Sequence, residues 1–192
     1  MRHEQLLAAG VRSFAISVDS PERNAAVVEK LSLPFPYLSD ADRSKAIIPY
    51  GVADEKDDRN IARPAIVVVA PDWQEAFRFV SRDFADRLPE DQVVLAVQQL
   101  AFAPTTQEPP RIGQTEPGPR SLSIHDLRIY FRGARFAALA MGLRHGHQAE
   151  AIKSDSKAYV AEMDRYTEAL AWLRQRSPTD GGPPLIRRGE QT

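Results

Sequence analysis

Arg63-Pro64-Ala65-Ile66-Val67-Val68-Val69 is the stretch on which the fold turns, because an unbroken run of small and β-branched apolar residues describes a strand covered on both faces. Pro64 has no N–H to give to a ladder, so it stands at the strand's entry, with the cis and trans forms of the Arg63–Pro64 bond both open. Arg63 then sits at the mouth of the sheet. Downstream, Ala70-Pro71-Asp72-Trp73-Gln74 is a turn, and the alternation in Ala76-Phe77-Arg78-Phe79-Val80 makes the returning strand of a hairpin. Pro89-Glu90-Asp91 opens a helix that turns Val93, Val94, Val97, Leu100 and Ala101 inward.

Upstream of the central strand, residues 2 to 9 read as a short helix closed by Gly10, and Val11 to Val18 as a strand in which Phe14, Ile16 and Val18 alternate with smaller residues. Asp19 and Ser20 follow at the strand's C-terminal end. Ser20 is an N-cap, Pro21 takes the first helical position, and the helix runs to about Leu31 with Val27, Val28 and Leu31 as its apolar stripe. Leu33-Pro34-Phe35-Pro36-Tyr37-Leu38 is too rich in proline for a regular interior strand, and Ser39-Asp40-Ala41-Asp42 reads as a cap cluster opening a short helix that ends before Gly51. The acidic segment 54–59 is a solvated loop, since it lacks the alternating oxygen ligands and turn glycine of a calcium site.

The expected order is thus strand, helix, short helix, strand, strand, helix, an α/β domain over residues 1–102. Residues 103–120, dominated by Pro, Thr, Gln, Glu and Gly, read as a linker. In residues 121–176 two amphipathic runs follow: Leu127, Phe131, Ala134, Ala138 and Met141, then Tyr159, Met163, Tyr166, Leu170 and Leu173. They are expected to form a helical hairpin, packed on the first part or on another chain, so self-association through these helices is the partner expectation. The tail 177–192, with Gly181-Gly182-Pro183-Pro184, is expected to be disordered.

With 25 basic and 26 acidic residues the chain has no bulk field for nucleic acid or anionic membrane, and no stretch approaches the ~20 apolar residues of a membrane span. Without a secretory signal at its start, a cytoplasmic protein is the expectation. The 192 residues contain no cysteine, which removes disulfides, thiolate metal sites and sulfur nucleophiles together. His145-Gly146-His147 lacks a third metal ligand beyond the candidate Glu150, and Ser123, His125 and Asp126 point in different directions on one helix and make no catalytic triad. Arg128, Arg132, Arg135 and Arg144 read as a solvated helix face balanced by acids on the second run. No metal and no cofactor are expected.

Four segments, Val11 through Pro21, Phe35-Pro36-Tyr37-Leu38-Ser39-Asp40, Tyr50-Gly51-Val52, and Ala62-Arg63-Pro64 with the strand and hairpin behind it, carry a resemblance by their order and spacing. They resemble the alkyl hydroperoxide reductase/thiol-specific antioxidant (AhpC/TSA) branch of peroxiredoxin-like proteins over residues 1 to about 102. The resemblance implies a thioredoxin-like three-layer sandwich and the antioxidant thiol oxidoreductase class. It also implies that the family's cysteine-bearing strand and helix would precede Val11, so that this sequence starts at the end of that helix and the sandwich is N-terminally incomplete.

The family's preceding strand lies between the equivalents of strands 13–18 and 65–69. Its absence leaves three outcomes: these two strands pair directly, another chain fills the position, or the core is poorly packed. By the same resemblance either Arg63 or Pro64 stands beside the reactive cysteine, as an arginine that stabilises the thiolate or a proline that presents backbone to a thiol substrate, and with Asp19 and Ser20 they form a vestigial cleft with no catalytic residue. The implied function is a redoxin inactive as a peroxidase, with a non-catalytic binding or oligomerisation module built on the C-terminal helices as the alternative.

Overall fold

The computed structural model describes residues 2–82 and 86–176, which leaves the expected tail from 177 onward outside the described residues. The chain divides into two compact units, Met1–Pro119 and Arg120–Thr192. Among the described residues no helix is long and apolar enough to cross a membrane.

The first unit mixes helix and strand in the order α1 (His3–Ala8), β1 (Ala15–Ser17), α2 (Pro21–Leu31), β2 (Tyr37–Ser39), β3 (Ala65–Val69), β4 (Glu75–Val80) and α3 (Glu90–Gln98). Its strands make two separate two-stranded sheets, β1 parallel to β2 and β3 antiparallel to β4. Direct pairing between the strands at 13–18 and 65–69 is therefore not what forms.

Which edge of each strand is used follows from single bonds. The Ala15 N–H donates to the Pro36 carbonyl at 2.9 Å and the Asp40 N–H to the Ser17 carbonyl at 2.8 Å, so residues 15 and 17 face β2 and the peptide groups of Ile16 face the opposite edge. In the hairpin the Ser81 N–H donates to the Pro64 carbonyl at 2.8 Å, which sets residues 66 and 68 toward β4 and leaves those of Ala65 and Val67 on the far edge. No hydrogen bond is formed at these outer edges of β1 and β3 among the described residues.

Three elements depart from the sequence expectation. β1 is shorter than Val11–Val18, because Ser13 is held by a side chain: its N–H donates to Gln107 Oε1 at 2.9 Å and its carbonyl accepts from Gln107 Nε2 at 2.7 Å. The proline-rich 33–38 segment does end in a strand, since Pro36 needs only its carbonyl to begin the parallel ladder. Residues 40–50 form turns rather than a short helix. The Asp40 carboxylate accepts from the N–H groups of Lys45, Ala46 and Ile47 at 3.0, 2.9 and 2.8 Å, and this clamp takes donors that a helix would send to its own carbonyls.

Helix α2 packs on the first sheet and buries Asn24, Ala26 and Val28, while Ile16 and Leu38, opposite one another in the register, remain exposed. Ala9, Val68 and Val97 form the buried cluster of the unit, with Leu6, Val11, Phe77 and Leu100 packed around it. Gly10 closes α1 at a φ of 80°, and a Cβ there would lie 2.5 Å from the Ala103 carbonyl oxygen, so glycine serves both the turn and the close approach. Ala101 lies past the end of α3 at a φ of 52° and is exposed, rather than continuing the inward stripe. The segment read as a linker is bonded to the first unit, through Thr105 to Leu7 at 2.9 Å and Glu116 to Glu22 at 3.1 Å.

The second unit contains α4 (Ile124–His145) and α5 (Glu150–Arg176). They run in opposite directions: Phe131 meets Tyr166 with ring centroids 5.0 Å apart, Arg135 Nε meets Asp164 Oδ1 at 2.6 Å, and Ser156 Oγ donates to the Ala138 carbonyl at 2.7 Å.

Candidate functional site

The C-terminal end of β1 is tied to α2 by a polar junction. Asn24, only 1 % exposed, donates from its amide to the Leu38 carbonyl at 3.0 Å and the Asp19 carbonyl at 3.4 Å. Its Oδ1 accepts from Ser17 Oγ at 3.0 Å, and Ser39 Oγ donates to the Asp19 carbonyl at 2.6 Å. Ser17 Oγ also lies 3.1 Å from Asp19 Oδ2, so its single proton serves one of the two acceptors at a time. Ser20 caps α2 by accepting from the Arg23 N–H at 3.4 Å. Backbone N–H donation at the helix start, then the Ser20 hydroxyl, holds the Glu22 carboxyl below the usual range. Asp19 and Ser20 are thus engaged in closing the strand-to-helix turn.

Arg63 and Pro64 belong to the other sheet. The Arg63 N–H donates to the Val52 carbonyl at 2.8 Å, and its guanidinium reaches the Gly51 carbonyl at 3.4 Å. The peptide bond before Pro64 is trans, and its carbonyl receives the Ser81 N–H. No hydrogen bond or ion pair joins Arg63 and Pro64 to Asp19 and Ser20. The groove between α1 and α3, lined by Gln5, Ala8, Asp91, Val94, Leu95 and others, includes none of the four.

Residues 1–74 match the AhpC/TSA family. No curated protein matches the chain. The match runs from α1 through the first sheet and β3 into the turn before β4, and so includes the strand-end junction and the Arg63–Pro64 entry.

Within this AhpC/TSA segment the side chains can bind and orient backbone, and none supplies a sulfur nucleophile, since the sequence has no cysteine. Sequence reasoning missed Asn24 and Ser81, both buried, and did not foresee the burial of Asp40. A signal existed for Asn24, which lies three residues before Val27 on the apolar face of α2. Asp40 was read as a cap; burial raises its carboxyl's pKa, and the three backbone donors outweigh that effect and bring it below the usual range.

Other candidates resolve into local structure. Ser123 caps α4, accepting from the Asp126 N–H at 3.1 Å and donating to Asp126 Oδ2 at 2.8 Å, which gives both residues a capping role. Among the described residues no group of three His, Cys, Asp or Glu side chains is placed to hold a metal ion. His3 is buried beside Phe35, with ring centroids 5.9 Å apart, and its Nδ1 has no hydrogen-bond partner.

Proposed function

We propose that this chain is a redoxin-type scaffold that does not itself reduce peroxides, although its class by descent is that of the antioxidant thiol oxidoreductases. The observation that carries this reading is an AhpC/TSA segment within a sequence containing no cysteine. Thiol-dependent reduction requires a thiolate to attack the peroxide O–O bond, leaving a sulfenic acid that a second thiol resolves. No other side chain substitutes for that cycle. Arg63, which by resemblance would stabilise the thiolate, instead donates to a backbone carbonyl.

The fold we infer is a thioredoxin-like sandwich in which β1–β2 and β3–β4 are the two flanking parts of one sheet, with no described strand between them. Their unpaired outer edges support this reading. Asp19, Ser20, Arg63 and Pro64 are then the remains of a cleft. A cytoplasmic setting is inferred from composition.

The test supplies hydrogen peroxide and an organic hydroperoxide to the purified chain with a dithiol reductant, beside a cysteine-containing peroxiredoxin. Consumption at the reductant blank is expected. Turnover above that blank would overturn the reading and require a different redox group.

A further inference from the structure

Helix α4 carries two apolar stripes, and its partner α5 covers only one. The inner stripe includes Leu127, Phe131 and Ala138 and packs against the Tyr159, Met163, Tyr166 and Leu170 face of α5. On the opposite side of α4, Ile129, Gly133, Phe136, Ala140 and Leu143 recur at intervals of four, three, four and three, the spacing of a coiled-coil seam. All five are exposed, Ile129 at 58 %, Phe136 at 57 % and Leu143 at 77 %. The outer side of α5 has Lys157, Ala161, Arg165 and Glu168, an ordinary solvated face.

We propose that this outer stripe is a two-fold interface between two copies of this chain, with their α4 helices antiparallel. The stripe alternates bulky and small residues. Antiparallel pairing sets Phe136 of each copy over Gly133 of the other and Ile129 over Ala140, so the four central layers each join a large side chain to a small one, with Leu143 meeting Asp126 at either end. A parallel pair would stack Phe136 on Phe136 and Gly133 on Gly133, crowding one layer and emptying the next. Nothing lies within 4 Å of where a Cβ on Gly133 would stand, which leaves that cradle open for an incoming ring.

Charge agrees with the same register. Asp126 lies just before the stripe and Arg144 just after it, and the antiparallel pairing brings Arg144 of one copy within one position of Asp126 of the other. The seam spans about 21 Å of helix at ~1.5 Å per residue. Such a contact falls near the lower size limit of specific interfaces, on the order of 1,000 Å² in total, which fits a reversible dimer. This inference stands on the second unit and is independent of the peroxidase reading.

Sedimentation of the full chain is expected to show a monomer–dimer equilibrium in the micromolar range. Gly133→Leu fills the cradle while raising helix propensity, so it should weaken dimerisation about tenfold or more with helical circular dichroism retained. Phe136→Glu should do the same by removing the ring. Because the chain lacks cysteine, a mixture of Asp126→Cys and Arg144→Cys proteins should form disulfides between unlike copies under oxidation. A strict monomer at about 100 µM, dimerisation undiminished in Gly133→Leu, or cross-linking only between like copies would each overturn the proposal.

Discussion

Trp73 holds the turn between β3 and β4 at a φ of 65°, in the left-handed region that a bulky side chain enters at a cost of about 1–2 kcal/mol. Its N–H donates to the Ala70 carbonyl at 2.9 Å, and the Ala70 N–H donates to the Gln74 carbonyl at 2.8 Å, so the next residue has already rejoined the ladder. The indole is 86 % exposed and contributes little packing. Trp73→Gly is therefore expected to stabilise the first unit by about 0.5–1 kcal/mol, part of the relief being offset by glycine's greater freedom when unfolded. A chemical denaturation midpoint that falls would contradict this.

Asp40 gives a residue-scale prediction in pH. Its folded-state pKa lies below the ordinary 3.8, so the clamp's contribution is fully present above that value and is lost as the pH falls through the lower folded value. Asp40→Asn should lower the melting temperature at neutral pH, and the gap to the parent chain should narrow as the pH drops below about 4. A gap that widens in acid would show that the carboxylate is not what holds residues 45–47.

At the scale of elements, α2 and the β1–β2 sheet are joined through Asn24 at a position where the helix pattern asks for an apolar residue. Asn24→Ala strips the Leu38 carbonyl of this donor and Ser17 Oγ of one of its acceptors, at an expected loss of about 2 kcal/mol by chemical denaturation. Loss of only a few tenths would mean that the other bonds of Ser17 and Ser39 suffice.

The same elements show what was legible in the sequence. β3, β4, α2 and α3 were readable because β-branched runs, turn residues and a proline-led helix start are local signals. β2 and the 40–50 turns were not, since a parallel strand needing one proline carbonyl and a carboxylate clamping residues five to seven positions ahead depend on tertiary placement. Gln107 bonding to Ser13 across 94 positions left no local trace. Arg63 and Pro64 stand just before β3, and Asp19 and Ser20 just after β1, but their backbone partners emerge only in three dimensions.

At the scale of the molecule, the first unit is held by a small cluster around Val97, which is fully buried. Val97→Ala should lower its stability by about 2 kcal/mol, read as an earlier unfolding midpoint, and an unchanged midpoint would place the core elsewhere. The strands of the first unit form two separate pairs, with no hydrogen bond at the outer edges of β1 and β3 among the described residues and no cysteine in the sequence. Residue-resolved amide hydrogen exchange tests that division most directly. Ala15, Ser17, Ile66 and Val68 are expected to be protected, while Ile16, Ala65 and Val67 exchange fast; slow exchange across both sets would show the edges to be paired and contradict the divided sheet.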